Sequence, residues 1–195
     1  MTARNKVLFS LGFVLVLFAF YSFELPEHWF IAGSEPKSYD MGIDKGAGQD
    51  GKNAATIKSN TSKVKGFGTL MQNCSPESFL GKRIRMSGFM KSIDVDDKAG
   101  LWLRVDQANS EKPLAFDNML SRPVTGTTAW KNYEIVLDVP SNATNLAYGA
   151  LLVGTGQIWF DKLKFEIVDQ SVPTTVMGKA DRMPLPKPLN LDFDN

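Results

Sequence analysis

Apolar and polar side chains alternate over several long stretches of this chain, and this pattern restricts its fold more than any other feature. The clearest examples are residues 83–93 (RIRMSGFMKSI), 100–107 (GLWLRVDQ), 133–139 (YEIVLDV) and 162–168 (KLKFEIV). Successive side chains of a β-strand point to opposite faces of the sheet, so a period of two predicts strands with one buried face. The middle of the chain is therefore predicted to form antiparallel sheet.

Shorter segments of the same kind surround these four. They are residues 39–44, 54–59, 67–72, 114–119, 145–153 and 157–160. Gly, Pro, Asn and Asp separate about ten such segments at the spacing that is typical of a sandwich. The one helical candidate after the N-terminus is a turn at SPESFLG (75–81), where Ser75 would cap and Pro76 would come first. The predicted fold class is an all-β antiparallel β-sandwich preceded by one hydrophobic helix.

Composition narrows the function classes. The 195 residues include 43% hydrophobic side chains, enough for one domain with a core, and 22 basic against 21 acidic residues without a basic block. The charge pattern thus gives no sign of nucleic-acid binding. The single cysteine, Cys74, excludes an intramolecular disulfide, and the single histidine, His28, excludes a histidine-based zinc site. We interpret His28 as a turn residue rather than a catalytic one.

An uncharged apolar run, residues 7–23, follows Arg4 and Lys6 and ends at Glu24. As a helix it would be about 25 Å long, the short limit for crossing a bilayer. The run lacks the small-x-small pattern of a cleavage site, which favours an uncleaved signal anchor over a cleaved signal peptide. Basic residues before it predict a cytoplasmic N-terminus, with the rest of the chain facing the periplasm or exterior. In the secreted alternative the segment is removed.

Three stretches resemble jelly-roll, galactose-binding-like domains such as the bacterial carbohydrate-binding modules. GTGQIWFDKLKFEIVD (154–169) resembles their closing hairpin, DKGAGQDGKNAATIKS (44–59) their Asp, Gly-Lys turn and Ala-containing strand, and SFELPEHW (22–29) their opening segment. Other blocks resemble an uncharacterised bacterial subfamily that occurs alone in exported proteins or joined to other modules, including transcriptional regulators. The resemblance implies a jelly-roll domain at 24–170, between an N-terminal segment (1–23) and a tail (171–195).

The resemblance also implies a structural calcium ion. Related modules hold one between the opening Glu and the Asp of the closing hairpin, which are Glu24 and Asp161 in this chain, and backbone carbonyls near Gly51 and Lys52 would complete the oxygen ligands. The alternative is that Asp161 caps a turn or pairs with Lys162.

A candidate ligand-binding cleft starts from strand 100–107. Trp102, Arg104 and Asp106 share the face opposite Leu101, Leu103 and Val105. An aromatic ring beside charged donors and acceptors suits a sugar. We expect three more residues to complete the cleft: Asp117, Asn118 and Arg122. In the alternative interpretation Arg104 and Asp106 form only an ion pair, and Trp102 belongs to a core.

The leading hypothesis is a membrane-tethered, exported, non-catalytic module that binds a carbohydrate or envelope polymer. The second is a structural or assembly protein that acts through sheet edges and its tail. The third is a small jelly-roll enzyme, a cyclase or a hydrolase, with Asp106 and Asp117 as a glycosidase pair.

The C-terminal residues LNLDFDN (189–195) alternate again. This pattern predicts that Leu189–Phe193 docks as an edge strand that replaces or flanks residues 21–24, or adds to the sheet of a second copy. A plain solvated tail is the alternative.

Overall fold

The computed structural model describes residues 23–175, and nine β-strands account for most of them. Single 3₁₀ turns lie at Pro36–Ser38 and Glu77–Phe79. The strands are β1 Phe30–Gly33, β2 Tyr39–Asp44, β3 Ala54–Ser59, β4 Phe67–Cys74, β5 Lys82–Asp106, β6 Ala115–Asp117, β7 Val124–Val139, β8 Asn145–Val153 and β9 Gln157–Val168.

All strand pairs are antiparallel and form two five-stranded layers that share β5. The front sheet has the order β1-β4-β8-β5-β6, in which residues 98–106 supply the β5 part. The back sheet has the order β2-β3-β9-β5-β7, in which residues 83–93 of β5 pair with β9. This arrangement confirms the predicted all-β sandwich, and most strands overlap the predicted segments, although β7 begins at Val124 instead of residue 133.

Strand β5 turns from one sheet into the other between these two halves. Its register with β7 shifts three times between Met90 and Ala99, and Asp94 has a φ of 51°. Aspartate tolerates this left-handed conformation better than most residues. The backbone N–H of Asp94 donates to Thr127 Oγ1 at 3.0 Å, which holds the corner. The two alternating stretches that suggested separate strands are therefore halves of one strand.

The core lies between the sheets, where the alternating apolar positions of both halves of β5 meet. Ile84, Met86 and Met90 face it from the back sheet, and Leu101 and Leu103 from the front sheet, all with no exposed area. At Gly88 a Cβ would collide with Leu163 and touch Leu101. A larger residue at this position would require the Leu163 side chain, on the neighbouring strand β9, to move.

Three features depart from the expected strands. Strand β1 was not predicted, since only four residues form it. A break was expected at Asp161, between the predicted segments 157–160 and 162–168, but strand β9 continues through it. A bulge at Lys162, with a φ of 54°, takes up the extra residue. The opening segment at 22–29 contributes, within the described residues, one bridge between Glu24 and Ile43.

Two predictions fall on residues outside 23–175. The predicted hydrophobic helix over 7–23 lies outside the described residues except for Phe23, and so does the predicted edge strand Leu189–Phe193. Within residues 23–175 the structure has no helix with the length and apolarity that a bilayer crossing requires.

The last described residues are fastened to the back sheet. The Arg83 guanidinium donates to the carbonyls of Gln170 and Val172, both at 2.7 Å, and pairs with Asp138. Thr175 then bonds Val136 on the outer edge of β7 through its backbone N–H at 2.9 Å. The chain therefore leaves the back sheet at the edge opposite β2.

Tyr39 links the β2 edge to loops of the front sheet. Its hydroxyl donates to the carbonyl of Gly154 at 2.9 Å and lies 3.2 Å from the carbonyl of Gly66. Burial, with a smaller contribution from Asp96, raises the pKa of Tyr39 from 10.0 to about 12. The folded state thus holds this tyrosine neutral at a pH where the unfolded chain ionises it.

Replacing Tyr39 with Phe should affect stability in two ways. The lost hydrogen bond should lower the free energy of unfolding by about 1 kcal/mol at pH 7. In the unchanged protein, stability should fall as the pH rises from about 10 to about 12, because only the unfolded state releases this proton there. Tyr39→Phe should show a shallower alkaline decline in urea titrations at stepped pH. An equally steep decline would contradict the assignment to Tyr39.

Candidate ligand-binding cleft

A cleft of about 680 Å³ lies on the outer face of the front sheet. All five strands of that sheet contribute to it, because the residues between the core-facing positions point outward. Its lining side chains include Ala32 from β1, Phe67, Thr69, Met71 and Asn73 from β4, Asn145, Ala147, Leu151 and Val153 from β8, Lys98, Trp102, Arg104 and Asp106 from β5, and Phe116 from β6, with Asn118 just beyond it. The predicted face of Trp102, Arg104 and Asp106 is thus the floor of a cleft.

Trp102 lies across the middle of this floor. Its cross-strand partner on β8 is Gly149, which has no side chain, and its indole Nε1 donates to Thr69 Oγ1 on β4 at 2.8 Å. Thr69 lies two strands away, about 10 Å, so the ring must lie flat over β8. A Cβ at Gly149 would also press on the backbone carbonyl of Leu70. With 8% of its surface exposed, Trp102 is both part of the packed sheet and a lining residue.

Arg104 and Asp106 form an ion pair at one end of the cleft. Arg104 Nε donates to Asp106 Oδ1 at 2.6 Å and its Nη2 to the carbonyl of Glu111 at 2.9 Å. The second oxygen of Asp106 accepts from the Asn145 side chain at 3.1 Å. The ion pair that the alternative interpretation predicted is therefore present. It also fixes three polar side chains at the surface of the cleft.

The walls carry side chains with unused hydrogen-bonding capacity. Asn118 borders the cleft beside Phe116, whose ring is 37% exposed, and Lys98 lies at the opposite end from Asp106. Among residues 23–175, neither Asn118 nor Lys98 has a side-chain hydrogen bond or ion pair. These groups are available to a ligand without breaking a contact within the domain.

The structure does not bring Asp117 and Arg122 into the cleft. Asp117 pairs with Leu103 across β5 and β6, so it faces the core side of the sheet, with its side chain fully buried. Arg122 makes two bonds to its carboxylate, at 2.8 and 3.2 Å, and donates to the carbonyl of Glu134 on β7 at 2.8 Å. This group ties the front sheet to the back sheet. Asp106 and Asp117 lie on opposite faces, so they do not form a glycosidase pair.

The carboxylates that were expected to bind calcium, those of Glu24 and Asp161, contact other groups of the domain. Asp161 accepts backbone N–H groups from Gln49 (3.2 Å) and Lys162 (2.7 Å), while Glu24 lies 3.6 Å from Lys45 Nζ. Within 23–175 no three His, Cys, Asp or Glu side chains converge on one point. A calcium shell of six to eight oxygens would have to draw largely on backbone carbonyls here. The calcium ion remains a prediction from the resemblance, and the turn-capping alternative for Asp161 describes the contacts seen.

The sequence reasoning did not single out several lining residues. Phe67, Phe116 and Asn145 lie on segments that were predicted as strands, and alternation assigns each a face. Their meeting at one cleft depends on which strands are neighbours in the front sheet, information that the strand pattern does not contain.

Comparison with known proteins relates the chain to other β-sandwiches. No protein family model matches it. An uncharacterized HTH-type transcriptional regulator of Bacillus subtilis (strain 168), YbfP, is 44% identical over 167 residues, which are 85% of this chain and 56% of the regulator. The chain thus spans about half the length of that curated relative.

Solved structures share the fold at low identity. The CBM22-1 xylan-binding domain of Paenibacillus barcinonensis Xyn10C matches with a TM-score of 0.52 and 11% identity, over 76% of this chain and 90% of that domain. The enzymatically active domain of bacteriophage CBA120 tailspike protein 4 matches with a TM-score of 0.54 and 10% identity, over 73% of this chain and 20% of that protein. The chain therefore has the β-sandwich fold of carbohydrate-binding modules, as its sequence resemblance predicted.

Truncating Trp102 should test its part in packing. Trp102→Ala should lower the free energy of unfolding by about 3–5 kcal/mol, since it removes a large buried ring. Trp102→Phe should cost about 1–2 kcal/mol, because a ring remains while the bond to Thr69 is lost. Urea unfolding measures both, with Phe116→Ala as the control for an exposed aromatic residue. A cost below about 1 kcal/mol for Trp102→Ala would show that the ring is not part of the packed sheet.

Proposed function

We propose that this protein is an exported, membrane-tethered, non-catalytic module that binds a carbohydrate in the cleft of the front sheet. The observation that carries the proposal is the cleft itself, about 680 Å³ in volume, with an indole ring in its floor and polar side chains along its length. Small-molecule sites commonly have this volume and this mixture of apolar surface with few fixed polar groups.

The chemistry of the lining suits a sugar. Pyranose rings have an apolar face that packs on aromatic and aliphatic side chains, and Phe67 and Phe116 offer such surfaces beside the floor that Trp102 forms. Hydroxyl groups both donate and accept. Asn118 provides both functions, and the Arg104–Asp106 pair and Asn145 hold fixed polar atoms beside it.

Binding without catalysis is favoured by the state of the acidic groups. Asp106 is the one carboxylate among the described lining residues, and it is held by Arg104 and Asn145. A glycosidase of the usual kind needs a second carboxyl group across the scissile bond. The nearest candidate from the sequence, Asp117, lies on the other face of the sheet.

The bacterial relative extends this proposal. A region that is shared between an HTH-type regulator and this chain is most simply a ligand-binding part in both. A regulator that works at DNA would respond to a soluble ligand rather than to an insoluble polymer. We therefore favour an oligosaccharide over an extended envelope polymer.

Membrane tethering rests on the sequence of residues 4–23. Arg4 and Lys6 before an apolar run favour a cytoplasmic N-terminus and an exported domain. Recovery of the intact N-terminus in the membrane fraction would support the anchor, and a mature form that starts near residue 20–24 would replace it with a cleaved signal.

An assembly role is the second candidate. Strand β1 is an edge strand with exposed Phe30 and Ile31, and such an edge can accept a strand from another chain. In that role the protein would form oligomers and show no glycan affinity.

Substitutions in the cleft wall should separate these candidates. Phe116→Ala and Asn118→Ala should each weaken binding to oligosaccharides about tenfold, through loss of one stacking surface or one pair of hydrogen bonds. Calorimetry against neutral and acidic oligosaccharides provides the measurement, after a glycan array has identified a ligand.

Ile167→Ala is the matched control, because Ile167 is an exposed apolar residue of the back sheet. Its affinity should equal that of the unchanged protein. Absence of binding across the array, or equal affinity in all three variants, would contradict a carbohydrate site in this cleft.

A further inference from the structure

The domain begins without a linker after the apolar run. The backbone N–H of Ile43 donates to the carbonyl of Glu24 at 2.7 Å, which holds Glu24 against β2. Phe23 lies against Gly42 on the same strand, where a Cβ would collide with it. Phe23, the last residue of the apolar run, is therefore already in contact with the sandwich. The domain cannot move far from whatever holds the preceding residues, 7–22.

Exposed apolar side chains are concentrated beside this junction. Leu25 is 44% exposed and Phe30 41%, whereas Ile31, at 39%, points to the other face of β1 because it pairs with the buried Leu70. Pro26–Trp29 is a tight turn, closed by a bond from the Trp29 N–H to the Pro26 carbonyl at 3.1 Å. Such a turn keeps the Cα atoms of Pro26 and Trp29 within about 7 Å, so one short turn separates Phe30 from Leu25 and Glu24 along the chain.

The exposure of these side chains is built into the fold. Trp29 points into the sandwich, where its ring lies 5.9 Å from that of Tyr148 and 5.8 Å from that of Phe160. This contact fixes the turn, so the residues on either side cannot rotate inward to bury themselves. Strand β1 is also the edge of the front sheet, and no other described strand covers its outer side.

We propose that Leu25 and Phe30 contact the headgroup region of the bilayer that holds residues 7–22. This inference rests on the tether of the proposed function. The headgroup layer is about 5–8 Å thick on each side, enough to receive side chains that lie one short turn from the anchor. Aromatic residues are enriched at this depth.

Charge at the junction favours neutral lipids. Glu27 and His28 at the tip of the turn lie 3.3 Å apart, and Glu24 is paired with Lys45 at 3.6 Å. No cluster of lysine or arginine accompanies the exposed apolar residues in this part of the described chain. We therefore expect the contact to need no anionic lipid and to be insensitive to salt.

Depth-dependent quenching tests the proposal on the full-length chain. In a Cys74→Ser background, which removes the native thiol, Phe30→Cys and Ile167→Cys each receive an environment-sensitive fluorophore. Ile167 is 56% exposed on the back sheet and is the matched control. The proteins are reconstituted in phosphatidylcholine vesicles that carry a nitroxide near the headgroup.

We expect several-fold stronger quenching at position 30 than at position 167, unchanged at high salt. Equal quenching at the two positions in vesicle-bound protein would overturn this inference and leave the tether intact. Protein that fails to float with the vesicles would overturn the tether, and the inference with it. The emission of the label at position 30 could also shift without nitroxide lipid and only at a high density of protein in the vesicles. That result would indicate contact between copies and would also overturn the inference.

Discussion

Strand β5 holds the two sheets together, and the rest of the molecule depends on its path. One continuous strand supplies core residues to both layers, so the spacing of the layers is fixed by covalent chain as well as by packing. The corner around Asp94 moves the alternation by one residue, so that even-numbered residues face the core before it and odd-numbered residues after it. As a result the inward positions of both halves meet in one core, and the outward positions of residues 98–106 all face the same cleft.

In the cleft, the floor serves mainly in packing, and the walls provide the groups that are available to a ligand. The indole N–H of Trp102, its single side-chain donor, bonds to Thr69, and the ring lies flat because Gly149 leaves room for it. Its role is to provide a rigid, apolar floor, with little surface of its own exposed. Asn118, Phe116 and Lys98 retain free surface or hydrogen-bonding atoms on the walls. Specificity for a ligand in such a site would come mainly from the walls, because the floor side chain is packed within the sheet and its donor is already bonded.

Much of the fold could be predicted from alternation alone. Strands β2, β3 and β8 match the predicted segments, and the face shared by Trp102, Arg104 and Asp106 follows from a period of two. The position of Asp117 could not be predicted, because neighbours on a strand face opposite sides and the register of β6 decides which of Asp117 and Asn118 faces the cleft. The contacts of Lys45 and Lys162 near the expected calcium ligands depend on loop geometry, which the sequence pattern does not specify.

The described chain meets the back sheet at one edge and leaves it at the other. Glu24 bonds β2, while Thr175 bonds β7 on the far side of the same sheet. Tension between these two points would act across the strands, along the direction in which antiparallel hydrogen bonds lie. The bonds would then open one pair after another, as in a zipper, rather than resist together in shear. A domain pulled between these two points would for this reason be expected to yield at low force, starting from its outermost strands.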